Sequence, residues 1–156
     1  MRTFLLLSLL IASAASFAQQ PTPIDVPAGG QLLLEARGEG FQIYTCTGAK
    51  WVLKAPDAKL LDAKGEVIGS HFAGPTWKLN DGSEIKAKSI ATQPSPESGS
   101  VAWLLLQAVP GSGSGKFSGV TYIRRTETHG GIAPQAACVS GELRQHYTAT
   151  YSFYGK

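Results

Sequence analysis

The protein has 156 residues, 43% of them hydrophobic and 16% charged, which suits one globular domain and is too short for two of ordinary size. Its formal net charge is +3, and no run of basic residues concentrates that charge. This distribution argues against a nucleic-acid groove or a polybasic membrane anchor. The 18 glycines and 9 prolines predict many turns and short strands rather than long helices.

The N-terminus has the pattern of an export signal. Arg2 precedes an apolar run that ends near Ala12, and small residues follow up to Ala18. The run is shorter than the roughly 20 residues that span a bilayer, so a retained anchor is the weaker alternative. We therefore predict a signal peptide over residues 1–18, secretion to the periplasm or the extracellular space, and no membrane anchor after cleavage.

The part after the predicted cleavage divides into a lead and one domain. Residues 19–30 are polar and contain three prolines, which predicts an extended lead, and residues 31–156 are expected to form a single domain. The two cysteines of the chain, Cys46 and Cys138, are expected to form a disulfide in an oxidising compartment. The alternative is a reactive thiol paired with a histidine.

The first half of the domain shows alternating strand patterns separated by turn residues. Residues 31–37 and 41–47 are predicted to form a hairpin around Gly38 and Gly40, and residues 49–55 form the next strand. A further hairpin is predicted over residues 58–72 with Gly65 in its turn. The strongest hairpin signal is the pair Asp81-Gly82, which favours the turns that match strand twist.

The second half continues the pattern. Residues 101–109 form the most apolar segment after the signal and are predicted to be a strand that is buried on both faces or lies at the centre of a sheet. Two more strands are predicted over residues 119–128 and 145–154, the last with Tyr147, Ala149, Tyr151 and Phe153 on one face. About nine short strands and no helix indicate an all-β fold, either an antiparallel sandwich or a flattened barrel.

Two polar clusters are candidates for a binding patch. Residues 71–77 read HFAGPTW, and residues 124–131 read RRTETHGG, where glycines allow a backbone to approach a ligand closely. A functional interpretation places histidine and tryptophan in a shallow apolar cleft. The structural alternatives are a chain reversal that orients the indole and a turn with an ion pair between Arg125 and Glu127. The candidate residues are His71, Trp77, Asp81, Arg125, Thr128 and His129.

Sequence motifs for catalysis and cofactors are absent. The run from Gly111 to Gly115 precedes a lysine, but Pro110 and Phe117 occupy the positions where a phosphate-binding loop needs glycine and serine or threonine. The histidines show no spacing typical of a metal site. We therefore assign no catalytic residue and expect no cofactor.

Several segments together resemble a known family. They are residues 40–46, 71–77, 81–83, 103–105, 125–134, Cys138 and residues 147–154. In order and spacing these segments resemble a family of secreted bacterial and fungal proteins catalogued as a domain of unknown function, over nearly all of the chain after the signal. The resemblance implies secretion and a single domain, and it supplies no catalytic residues. Some fungal members are labelled malate dehydrogenase, but this sequence has no nucleotide-binding fingerprint to support hydride transfer.

Two functional hypotheses follow. The first is a secreted, non-enzymatic β-domain that binds a small apolar molecule, a glycan or a protein surface. The second is a secreted hydrolase or metal-dependent enzyme that uses His71 and His129 with Asp81 or Glu127. An inhibitor of another enzyme is a third possibility, based on architecture alone.

Overall fold

The computed structural model describes residues 22–156. These residues form eight β-strands and one short 3₁₀ helix, Gly115–Phe117. The strands are Gln31–Thr47 (β1), Lys50–Leu61 (β2), Val67–Phe72 (β3), Thr76–Leu79 (β4), Glu84–Gln93 (β5), Trp103–Ala108 (β6), Val120–Gly130 (β7) and Glu142–Gly155 (β8).

The strands close into one antiparallel barrel. Each strand pairs with the next along the chain, and β8 pairs with β1 to complete the ring. The closing ladder runs from Gln31 opposite Gly155 to Thr45 opposite Glu142. The all-β prediction is confirmed, and of the two predicted architectures the chain adopts the barrel. Closure gives each of the eight strands a paired neighbour on both sides.

The predicted turn at residues 38–40 is wrong, because β1 runs through it without interruption. The two glycines serve packing. A Cβ atom on Gly38 would lie 2.5 Å from the Tyr151 ring, and one on Gly40 would lie 2.2 Å from the carbonyl oxygen of Asp57. Strand β2 is likewise continuous across Pro56. These two mergers explain why the barrel has fewer strands than the predicted number.

The hairpin predicted at Asp81-Gly82 is confirmed. This turn connects β4 to β5, with Gly82 at a φ of 89° and the Leu79 amide donating to the Ser83 carbonyl at 2.8 Å. The predicted turn at Gly65, between β2 and β3, is also present, with φ at 82°. Both turns depend on glycine because their backbone lies in the left-handed region.

The two ends of the barrel differ in their connections. The β2–β3, β4–β5 and β6–β7 connections lie at one end, which we call the closed end. There Phe117, from the 3₁₀ helix, packs on Phe153 with ring centroids 4.8 Å apart, and both side chains are fully buried. The β1–β2, β3–β4, β5–β6 and β7–β8 connections lie at the other end, the open end.

The predicted disulfide joins Cys46 and Cys138, which are separated by 92 residues in sequence and have Cα atoms 5.8 Å apart. It ties the end of β1 to the β7–β8 connection at the open end. Two backbone hydrogen bonds reinforce this link, from the Cys46 amide to Gly141 and from the Cys138 amide to Ala49. In the loop-entropy model, a disulfide that closes a loop of this length adds about 4 to 5 kcal/mol to the free energy of unfolding.

The predicted signal peptide lies outside the described residues. Residues 22–30 contain two turns and no strand, and Ile24 in this segment is 2% exposed. Among residues 22–156 there is no helix with the length and apolar character that a membrane crossing requires.

Candidate functional site

An aromatic stack lies inside the barrel near its open end. His71 on β3 is the direct cross-strand partner of Trp77 on β4, because a short turn with Gly74 at a φ of 82° joins the two strands. Both side chains are buried. Their rings are parallel within 10°, with centroids 4.3 Å apart. The segment HFAGPTW therefore folds into a hairpin that directs both rings into the barrel.

The His71 imidazole is neutral. Burial lowers its pKa to about 3, and the positive charge of Arg125 lowers it further, while a hydrogen bond to the Thr76 carbonyl acts in the opposite direction. The Nδ1 atom lies 2.9 Å from that carbonyl oxygen, which can only accept, so Nδ1 carries the proton. The Nε2 atom is then left as a hydrogen-bond acceptor.

Two tyrosines of β8 extend the aromatic cluster. The Tyr151 ring packs edge-on against His71, with ring centroids 5.0 Å apart, and against Trp77 at 5.6 Å. Its hydroxyl lies 3.1 Å from the hydroxyl of Tyr147. Burial raises the pKa of both tyrosines, so both hydroxyls stay protonated. The cluster offers rings and neutral polar atoms, and none of its members is an anion.

A cavity of about 140 Å³ lies against this cluster inside the barrel. Its wall is mostly aliphatic and aromatic, and it contains no carboxylate. Leu53, which is 53% exposed, lies at its mouth at the open end. The lining residues come from seven strands and the β3–β4 turn: Gln42, Leu53, Pro56, His71, Pro75, Trp77, Leu104, Leu106, Arg125 and Tyr151.

Arg125 is the one charged residue in the wall of the cavity. It lies on β7, opposite Tyr151 on one side and Leu104 on the other. Its Nε and Nη2 atoms donate to the Ala102 carbonyl at 3.1 Å and 2.7 Å. The alternative ion pair with Glu127 is not formed. Glu127 has a φ of 48°, is exposed, and accepts a hydrogen bond from Thr150 instead.

The other predicted patch residues lie outside the cavity. Asp81 is in the β4–β5 turn at the closed end, where a backbone hydrogen bond from Ser83 and the nearby Lys116 help to lower its pKa to about 2. Thr128 is buried and donates to the Val101 carbonyl at 2.6 Å. His129 is exposed and its Nδ1 contacts the Glu97 carboxylate. The patch therefore separates, and His71, Trp77 and Arg125 are the members that meet.

The enzyme hypothesis needs His71 and His129 in one site. His71 faces the barrel interior, whereas the exposed His129 does not line the cavity. Among residues 22–156, no group of three or more histidine, cysteine, aspartate or glutamate side chains is arranged to hold a metal ion. A shared site built on these two histidines therefore has no geometric support.

A larger groove, of about 500 Å³, lies on the outer surface of β1, β2, β3 and β8. Its most prominent polar group, Arg144, is already engaged. The guanidinium lies 4.7 Å from the centre of the Phe41 ring and 2.7 Å from the Asp57 carboxylate. The groove is more open to solvent than the cavity inside the barrel, so it is a weaker candidate.

Comparison with known proteins gives one match. The sequence model of a family described as "Protein of unknown function (DUF3455)" matches residues 27–155. The chain belongs to this family. No curated protein and no solved structure in the comparison matches it. The DUF3455 description names no activity, so the function of this member has to be argued from its cavity.

Seven residues that line the cavity are not among the predicted site residues: Gln42, Leu53, Pro56, Pro75, Leu104, Leu106 and Tyr151. The sequence pattern places Tyr151 on one face of the last strand but does not assign it to a site. Gln42 follows Gly38 and Gly40 at two-residue intervals and so shares their face of β1. This alternation is the signal that could have placed Gln42 inside the barrel.

Proposed function

We propose that this DUF3455 protein is a secreted binding protein that holds a small, mostly apolar molecule inside the open end of its barrel. The observation that carries the proposal is the cavity next to the His71–Trp77 stack, walled by leucines, prolines and aromatic rings. Barrels of eight strands have interiors wide enough to be filled by side chains or to hold one small ligand. The disulfide and the signal-like N-terminus support secretion.

The size of the cavity restricts the ligand. Its volume of about 140 Å³ is close to that of apolar protein cavities of about 150 Å³ that take up benzene. A molecule with one ring or a short branched chain fits this space. A long acyl chain would have to extend past Leu53 into solvent.

The chemistry of the wall favours binding over catalysis. General acid–base catalysis needs a group that titrates near the working pH. The His71 imidazole has its pKa lowered to about 3, and Tyr151 has its pKa raised. Both groups are therefore fixed in their neutral forms, which suits recognition by stacking and hydrogen bonding. No carboxylate lines the cavity to replace them.

Isothermal titration calorimetry with benzyl alcohol, a neutral ligand of one ring, tests the proposal. We expect saturable binding to the disulfide-bonded protein and its loss in Leu104→Phe, which fills the cavity from β6. The matched control is Leu32→Phe, because Leu32 does not line the cavity and is 54% exposed. Thermal melts establish that both variants fold. Equal binding by the two variants would contradict the proposal.

A further inference from the structure

The cavity contains a positive charge for which the protein supplies no negative partner. Five ion pairs of lysine or arginine with a carboxylate occur among residues 22–156, and Arg125 takes part in none of them. The guanidinium donates two hydrogen bonds to the backbone, and both go to the neutral Ala102 carbonyl. A half-buried cation without a counter-charge loses hydration that these hydrogen bonds replace only in part.

The guanidinium also keeps free donors. An arginine side chain has five N–H donors in a planar fork. The contacts to Ala102 use one on Nε and one on Nη2, and a side-chain hydrogen bond to Tyr151 uses a third, which leaves two. The positive charge influences the neutral groups around it, since it opposes the rise in the pKa of Tyr151 and helps to lower the pKa of His71. The charge therefore acts inside the aromatic cluster.

Other polar atoms in the wall also lack protein partners. Trp77 Nε1, which can only donate, and Gln42 Oε1 are buried without a hydrogen bond. Trp77 is 1% exposed and Gln42 is 2% exposed. Both residues line the same cavity as Arg125. Unpartnered buried polar atoms are rare in folded proteins, and two of the five side-chain atoms of this kind among residues 22–156 belong to residues that line this cavity, where a polar ligand group would satisfy them.

We propose that the ligand is a small apolar carboxylic acid, bound as its anion with the carboxylate on Arg125 and the hydrocarbon part against Trp77 and Leu104. This inference rests on the proposed function and adds the charge of the ligand to it. Arginine binds a carboxylate through two parallel N–H···O bonds, which gives both strength and orientation. The cavity has room for one ring, so its apolar wall can contact the rest of the molecule.

The test compares benzoate with benzamide, which has the same ring and a neutral polar group. Calorimetry on the disulfide-bonded protein is expected to show benzoate binding at least about tenfold more tightly, the effect of one charge-assisted hydrogen bond. Arg125→Gln should reduce the two affinities to similar values, and Arg125→Lys should restore part of the preference.

The matched control is Arg124→Gln. It changes the net charge equally, but Arg124 does not line the cavity and lies over the Tyr154 ring, 5.9 Å from its centre. We expect Arg124→Gln to keep the preference for benzoate. If Arg125→Gln fails to fold, the ratio of the two affinities in the unmodified protein still decides the question.

The outcomes separate the two proposals. Equal binding of benzoate and benzamide would overturn the carboxylate proposal and leave the apolar binding site standing. Binding of neither compound, together with no binding of benzyl alcohol, would overturn both. Acetate competing as strongly as benzoate would show an anion site without an apolar requirement and would also overturn the inference.

Discussion

The closed and open ends of the barrel use aromatic residues in different ways. At the closed end, Phe117 and Phe153 fill the interior completely, with no polar atom on either side chain. At the open end, His71, Trp77 and Tyr151 are just as buried, but they line a cavity and bring nitrogen and oxygen atoms to it. One end thus resembles a packed core and the other a binding site.

This contrast shows how one small barrel separates stability from function. The closed end is stabilised by close packing, which tolerates little change in side-chain volume. The open end forgoes part of that packing and keeps polar groups and a charge in the interior. The disulfide lies at the open end, where it can compensate for the incomplete packing. The following predictions test this division.

The largest effect on stability is expected at the closed end. Phe153→Ala should lower the free energy of unfolding by about 3 to 5 kcal/mol, because it leaves a void between Phe117 and Trp77. The control is Leu53→Ala at the mouth of the open end, where the side chain is 53% exposed. Urea unfolding measures both. Equal losses would mean that the two ends do not differ in packing.

Loss of the disulfide is expected to cost about 2 to 5 kcal/mol. The variant Cys46→Ala with Cys138→Ala tests this by urea unfolding. Hydrogen exchange should also show which part of the protein loses stability. We expect faster exchange for the open-end amides of Cys46 and Cys138, which bond to Gly141 and Ala49. Equal acceleration at the Ser114 amide of the closed end, which bonds to Glu84, would contradict a local role.

A smaller effect is expected at the inward-facing glycines of β1. Gly38→Ala should destabilise the protein by about 1 to 3 kcal/mol, because the new Cβ atom would lie 2.5 Å from the Tyr151 ring. Gly119→Ala is the matched control, since the nearest atom to its new Cβ would be Leu33 Cδ1, at 3.8 Å. Thermal and urea unfolding compare the two. A larger loss in the Gly119 variant would refute the packing role of Gly38.

A separate effect is a pH dependence that His71 causes. Its pKa is near 6.5 in the unfolded chain and about 3 in the fold, so the unfolded state binds the extra proton between these values. Stability should be greatest above pH 6.5 and fall toward pH 3 by at most about 1.4 kcal/mol per pH unit from this group. The groups that face His71 are Trp77, Tyr151 and Arg125.

His71→Phe keeps a ring against Trp77 and removes the titrating group. Urea unfolding at several pH values should show a shallower slope for this variant than for the unmodified protein. Identical slopes would mean that His71 is protonated in the fold, in conflict with its burial.

The parts of the fold that the sequence predicts are those with a local cause. The Asp81-Gly82 turn needs only its own residues and its two flanking strands. The disulfide follows from the presence of two cysteines. The sequence suggests a turn at Gly38 because the residue that requires a glycine there, Tyr151, is more than a hundred residues away in sequence. Glycine in a turn and glycine beneath a distant ring look the same in a sequence.

The candidate site could be predicted only in part for a similar reason. His71 and Trp77 stand close in sequence and meet across one hairpin. Arg125 joins them because its strand lies on the far side of a closed barrel and directs this side chain inward. Its neighbour Glu127 is turned outward at a backbone irregularity with a φ of 48°. Strand alternation alone does not reveal such an irregularity, so Arg125 and Glu127 were expected to pair.

The central claim, that the cavity at the open end is the ligand site, is tested most directly by the indole N–H signals of the three tryptophans. Trp77 lines the cavity, whereas Trp51 and Trp103 do not. In a nitrogen-15 NMR titration with benzyl alcohol, we predict a saturable shift of the Trp77 signal that Leu104→Phe abolishes. Saturable binding with an unmoved Trp77 signal, and shifts confined to Phe41 and His146 in the outer groove, would contradict the claim.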